Sequence, residues 1–175
     1  MASRGEQPSF SVVYETHVDF VWSMARRLGV PASLLEDAVQ DVFMVVHRRL
    51  GEFRGESQLK TWVGGIAVRV AHEYRRRALR GEDVEQLDDA RQDFAGPSDP
   101  HRDIETAQAW STLERMLGEL DDEQRTVFVL AELEELSAPQ IAEIVQVSVN
   151  TVYSRLRLAR AKLQRALESM RRGSA

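Results

Sequence analysis

The chain has no cysteine. Disulfides and thiolate metal sites are therefore excluded, which fits a reducing cytoplasm. No apolar run approaches the roughly 18 residues that a membrane-spanning helix needs, so no membrane insertion is expected. The opening "MASRGEQPS" lacks the apolar core of a secretory signal. Histidines are few and scattered (His17, His47, His72, His101). None forms a ligand pair, and "HEYRR" at His72 is not the HExxH zinc pattern, so neither metal nor cofactor is expected. There is no paired histidine and acid, no glycine-rich phosphate loop and no nucleophile motif. No catalytic residue is assigned, and an enzyme is a poor reading. No alternating strand pattern occurs either, which leaves an all-α fold.

What is present is charge, unevenly placed. The net charge of −5 argues at first against nucleic acid. Residues 69–80, "RVAHEYRRRALR", hold five arginines and one acid, and residues 155–172 hold seven basic residues and one acid. Between them, residues 81–105 carry nine acids against two arginines. A phosphate backbone responds to the local field, and two basic blocks survive an average that hides them.

Apolar spacing predicts a first helix over 10–28 (Val13, Phe20, Val21, Met24, Leu28). A second is expected from about Leu34, capped by Ser33 and Glu36, with the stripe Leu35, Val39, Val42, Val46 and Leu50 and a stop at Gly51. A third runs from about Leu59 to Leu79 and buries Trp62, Ile66, Val70 and Tyr74. The acidic segment 81–102, with Gly96, Pro97 and Pro100, reads as a flexible linker with too little apolar surface to offset ordering. A fourth helix carries Ile104, Trp110, Leu113 and Leu117, and a fifth is capped by Asp121. The expected organisation is two small helical domains, 1–80 and 103–175, joined by the linker.

The stretch "SAPQIAEIVQVSVNTVYSRLRLAR" (137–160) carries the clearest local signal. Ser137 and Gln140 form a capping box with Pro139 in the first turn. Ala142, a turn residue at Gln146 and a buried Val152 have helix-turn-helix spacing. Gln146 replaces the usual turn glycine, at a cost of about 1 kcal/mol for a left-handed residue. Ser148 or Asn150 can cap the second helix. A bundle helix with a solvated basic face is the alternative; the caps and spacing favour the helix-turn-helix. Asn150, Thr151, Tyr153, Ser154 and Arg157 then lie early in a recognition helix, with Arg155, Arg160, Lys162 and Arg165 as a basic flank.

Three segments in order, "EDAVQDVF" (36–43), "FRGESQLKTWVGGIA" (53–67) and "LDDEQRTVFVLAELEELSAPQIAEIVQVSVNTVYSRLRLARAKL" (120–163), resemble the extracytoplasmic-function class of bacterial RNA polymerase sigma factors, within the sigma-70 family. The resemblance covers nearly the whole chain. It implies an alternative sigma factor with two domains. The first (family region 2) binds the β′ clamp helices of core RNA polymerase and melts the −10 element. The second (family region 4) reads the −35 element and touches the β flap. By position, Asp37, Gln40 and Asp41 match the family's β′-contacting residues; they share one helix face, off the apolar stripe. Phe43 is expected in the core. The −10 segment implies Ser57, Gln58, Lys60, Thr61, Trp62, Arg69, His72, Glu73 and Arg76 as its DNA surface, where an extruded base would be held. For Trp62, core packing is the alternative.

The chain departs from the family's pattern at Arg69 (often asparagine), Glu73 (often aspartate), Asn150, Tyr153 and Leu158. Promoter preference is therefore not transferable. Promoter DNA, core polymerase and an anti-sigma factor are the implied partners. The acidic linker either threads basic polymerase channels, as in the family, or is an inert tether. A rival reading is a two-module helix-turn-helix regulator that does not dock on polymerase; the Asp37/Gln40/Asp41 face separates the two.

Overall fold

The computed structural model describes residues 8–81 and 100–173. Among the described residues there are seven α-helices: α1 (Phe10–Arg27), α2 (Leu35–Arg49), α3 (Leu59–Leu79), α4 (Pro100–Gly118), α5 (Asp122–Phe128), α6 (Ala138–Val145) and α7 (Val149–Gly173). No strand occurs among the described residues, as expected. Most of the acidic linker expected over 81–102 lies outside them.

Helices α1, α2 and α3 pack against one another as the first unit. Val13, Val21, Met24 and Leu28 form a buried stripe on α1 and its C-terminal cap. All five residues of the expected α2 stripe are buried, and so is Phe43. Each such aliphatic contributes about 1.5–3 kcal/mol of burial. On α3, Ile66 and Tyr74 are buried, whereas Trp62 and Val70 are half-buried. Helices α5, α6 and α7 form the second unit, with α4 lying along α7.

Local signals fare unevenly. Asp121 caps α5 by accepting from Gln124 N–H at 2.8 Å. In the α6 box, Gln140 Oε1 accepts from Ser137 N–H at 2.9 Å. Gln146 takes the left-handed turn at φ 56°, ψ 46°. Ser148, not Asn150, caps α7: its Oγ accepts from Thr151 N–H at 3.1 Å. The Ser33–Glu36 box does not form. A 3-10 turn at Ala32–Leu34 runs directly into α2 and takes over the initiating role. Gly51 is not a left-handed stop; it lies within a second 3-10 turn, Leu50–Glu52. Helix α4 begins at Pro100, a few residues before the start expected at 103, and proline at the first helical position costs no hydrogen bond. Helix α5 widens into a π-helical turn, Val129–Leu133, which closes with Glu135 at φ 55°. That turn left no mark in the sequence pattern.

Candidate docking and nucleic-acid interfaces

On α2 the fold leaves Asp37, Gln40 and Asp41 exposed along one stripe, separate from the core face. Met44 extends the stripe and is 51% exposed. Asp41 is not free to swing. Tyr74, buried on α3, donates its hydroxyl to Asp41 Oδ2 at 2.6 Å. Burial, then the hydrogen bond to Asp41, push the phenol far above its ordinary pKa. Neither Met44 nor Tyr74 stood among the sequence candidates for docking. Met44 was findable, being three residues beyond Asp41 and seven beyond Asp37. Tyr74 was findable only in part: a buried tyrosine needs a hydroxyl partner, but the sequence does not say which.

The candidate −10 residues divide. Ser57 is half-buried, and Gln58 is the exposed N-cap of α3. Exposed Lys60 stands over the Phe20 ring, 4.7 Å from its centroid. Trp62 packs on Phe53, with ring centroids 5.3 Å apart, and keeps partial exposure. Arg69, Glu73 and Arg76 are exposed, and Glu73 pairs with Arg76 at 3.2 Å. Thr61 and His72, in contrast, face the second unit. Thr61 is 2% exposed and accepts from Gln140 Nε2 at 3.3 Å. His72 Nε2 lies 2.7 Å from Thr126 Oγ1. The Thr126 hydroxyl already donates to the Asp122 carbonyl at 2.6 Å, so His72 carries the proton on Nε2 and donates. Burial lowers the His72 pKa; Asp122 opposes this, and Arg75 and Arg76 add to it.

These two contacts belong to a larger seam between the units. Arg75 pairs with Asp122 at 2.9 Å, and Arg27 pairs with Glu134 at 2.6 Å. Burial raises the Glu134 pKa, against the pull of Arg27. Arg26 lies over Trp110 at 4.0 Å. At the centre, Arg125 is 7% exposed and its Nε donates to the Arg27 carbonyl at 2.7 Å. Its guanidinium rests on Gly29, where φ is 92° and an added Cβ would stand 2.9 Å from Arg125 Nη1. Burial, with Arg75 nearby, brings the Arg125 pKa down to about 10. A cleft of about 580 Å³ opens beside the seam, bordered by Arg69, His72, Arg76, Asp122 and Arg155.

On α7, Asn150, Tyr153, Ser154 and Arg157 are exposed, and Thr151 is half-buried at the cap. Leu158 is 50% exposed where the recognition surface continues. Three of the four cations of the basic flank are already paired within their own unit, while exposed Arg165 donates its Nε to the Ala161 carbonyl of its own helix at 3.2 Å. Arg155 meets Glu123 at 2.7 Å, Lys162 meets Asp121 at 3.5 Å, and Arg160 Nε donates to Glu132 at 3.0 Å. Arg157 makes no ion pair among the described residues and lies in the first turns of α7, so it is the cation best presented at the start of that helix.

Two helical units, an exposed acidic stripe on one and a capped helix-turn-helix on the other, match known families in the same order. Residues 13–81 match sigma-70 region 2, and residues 111–163 match sigma-70, region 4. The chain belongs to the extracytoplasmic-function sigma factors of the sigma-70 family. The RNA polymerase sigma-H factor of Pseudomonas aeruginosa is 28% identical, over 97% of this chain and 91% of that one. The ECF RNA polymerase sigma-E factor of Escherichia coli K12 is 28% identical, over 95% and 91%. Among solved structures, CnrH in complex with the cytosolic domain of CnrY superposes with a TM-score of 0.70 at 25% identity, covering 94% of this chain and 91% of CnrH. The sigma factor RpoE of Bartonella quintana, solved with the anti-sigma factor NepR, shares the fold at a TM-score of 0.66 and 21% identity, covering 91% and 96%. This sigma factor is thus an initiation factor by family. No described helix is long and apolar enough to cross a membrane.

Proposed function

We propose that this alternative sigma factor docks on the β′ clamp helices of core polymerase through Asp37, Gln40 and Asp41. The α3 face from Ser57 to Arg76 engages −10 DNA, and the exposed start of α7 engages −35 DNA while its unit contacts the β flap. The first unit corresponds to about 1–80 and the second to about 103–175, with an acidic linker between. The protein works in the cytoplasm and carries no catalytic group of its own. The observation behind this reading is the separation of three surfaces on two units: an exposed acidic stripe, a basic α3 and a capped recognition helix.

The seam adds a condition. Thr61 and His72 belong to the −10 surface and are covered by Gln140 and Thr126 of the second unit. The described arrangement is a closed form, and −10 DNA requires the units to part. An anti-sigma factor, such as accompanies RpoE in its solved complex, would act by holding the closed form. The test is run-off transcription with core polymerase on a promoter library, with a parallel core-binding measurement. Promoter-dependent product supports the reading. Failure of both product and core binding sinks it. Reversing the charge at Asp37 and Asp41 separates the rival regulator: loss of core binding with DNA affinity intact favours the sigma factor.

A further inference from the structure

We propose that Tyr74 is a positioning residue for polymerase docking, fixing the Asp41 carboxylate so that it meets a basic side chain of the partner in one orientation. This rests on the docking role of the α2 stripe given above. Three observations carry it. First, the 2.6 Å separation between Tyr74 Oη and Asp41 Oδ2 is that of a phenol donating to an ionised carboxylate. Second, the Tyr74 ring is 7% exposed and so is itself fixed by packing, with Arg77 over its face at 5.3 Å. A fixed donor fixes its acceptor. Third, Asp41 lies on the exposed face of α2, where a side chain with no partner samples several rotamers. Occupying Oδ2 from the protein side leaves Oδ1 to accept from an arginine or lysine of the docking partner. Ordering Asp41 before contact removes part of the entropy that binding otherwise costs.

The arrangement also joins α2 to α3. The helix that carries the −10 surface holds the residue that shapes the docking surface, thirteen residues on from Thr61 in the same rigid element.

The experiment compares full-length wild type, Tyr74→Phe, Asp41→Asn and the double variant in equilibrium binding to core polymerase, with thermal melting of each. Phenylalanine keeps the ring and its packing and removes only the donor. Tyr74→Phe is expected to weaken core binding about fivefold, equivalent to about 1 kcal/mol. In the Asp41→Asn background the same change is expected to do nothing further, because the carboxylate it orients is gone. A Tyr74→Phe protein that binds core as wild type does, while Asp41→Asn binds weakly, overturns the proposal and leaves the docking role standing. An equal loss in both backgrounds also overturns it, since the phenol would then act through packing. Wild-type binding by Asp41→Asn removes the docking role of Asp41 and the proposal with it.

Discussion

Replacing Arg125 by alanine should open the seam between the two units. Its Nε donates to the Arg27 carbonyl at 2.7 Å, and the guanidinium fills the space over Gly29. A hydrogen bond from a charged donor contributes about 1.5–3 kcal/mol. Desolvation opposes it, as the lowering of the Arg125 pKa to about 10 records. The net loss is therefore taken near the low end, about 1.5–2 kcal/mol, which moves the closed-to-open ratio about 10- to 30-fold. Because the chain has no cysteine, two cysteines placed at exposed Glu56 and Ser169 give a clean dye pair, one on each unit. Energy transfer should fall in Arg125→Ala, and the affinity of the free protein for a −10 single strand should rise in proportion. Arg27→Glu, which opposes Glu134 at 2.6 Å, should act in the same direction, and Arg27→Glu with Glu134→Arg should restore transfer. An unchanged transfer distribution in both Arg125→Ala and Arg27→Glu, with melting intact, would refute the seam as a latch.

Three further outcomes are expected. Gln146→Gly should stabilise the second unit by about 0.5–1 kcal/mol in chemical denaturation, since it relieves a left-handed non-glycine residue at an exposed turn. Arg157→Ala should weaken −35 DNA binding and reduce the salt slope by about one, and Arg155→Ala should do less because Glu123 already holds it; anisotropy across a salt series checks both. The His72 pKa is lowered in the closed form, so below pH 6.5 the open form binds more protons there. Closed-form stability from this group is present above that pH and is lost as pH falls toward the lowered value. Energy transfer should drop from about pH 7.5 to about pH 6, and His72→Gln should flatten the change; a profile identical in both proteins counts against it. Glu134 has the opposite sign, because its raised pKa favours the closed form at more acid pH.

The all-α class, the helix order and the α2 stripe were legible because each depends on local periodicity and burial on one face. The helix-turn-helix was legible for the same reason: the Ser137 box, the left-handed Gln146 and the buried Val152 are short-range features. Caps competing with a 3-10 turn were not legible, since Ser33 and Pro31 offer two ways to start α2 within a residue or two of each other. The candidate DNA residues were chosen by position, and position cannot report a partner distant in the chain. Thr61 meets Gln140 from 79 residues away, and Tyr74 meets Asp41 from 33. Arg155 and Arg160 looked like phosphate contacts because they are basic and close to the turn. Their pairing with Glu123 and Glu132 depends on how α5 and its π turn lie along α7.

On the proposed reading, the closed form imposes a thermodynamic order on the activity. A ligand shifts an equilibrium only by its preference for one state. If Thr61 and His72 contact −10 DNA as proposed, that DNA prefers the open form, because both are covered in the closed one. The apparent affinity of the free protein is then its intrinsic affinity reduced by the open fraction. The proposed docking residues do not share this handicap: Asp37, Gln40 and Asp41 are exposed with the seam shut. Docking can therefore precede opening. On the proposed reading, contact between the polymerase and the second unit would draw the units apart once the first unit is docked, and α3 would then become available to promoter DNA. Linkage then makes the effect reciprocal, so −10 DNA tightens the hold on polymerase by the factor with which polymerase tightens the hold on DNA. A partner that binds across the seam acts with the opposite sign, and it needs to exceed only the small free energy that separates the two forms.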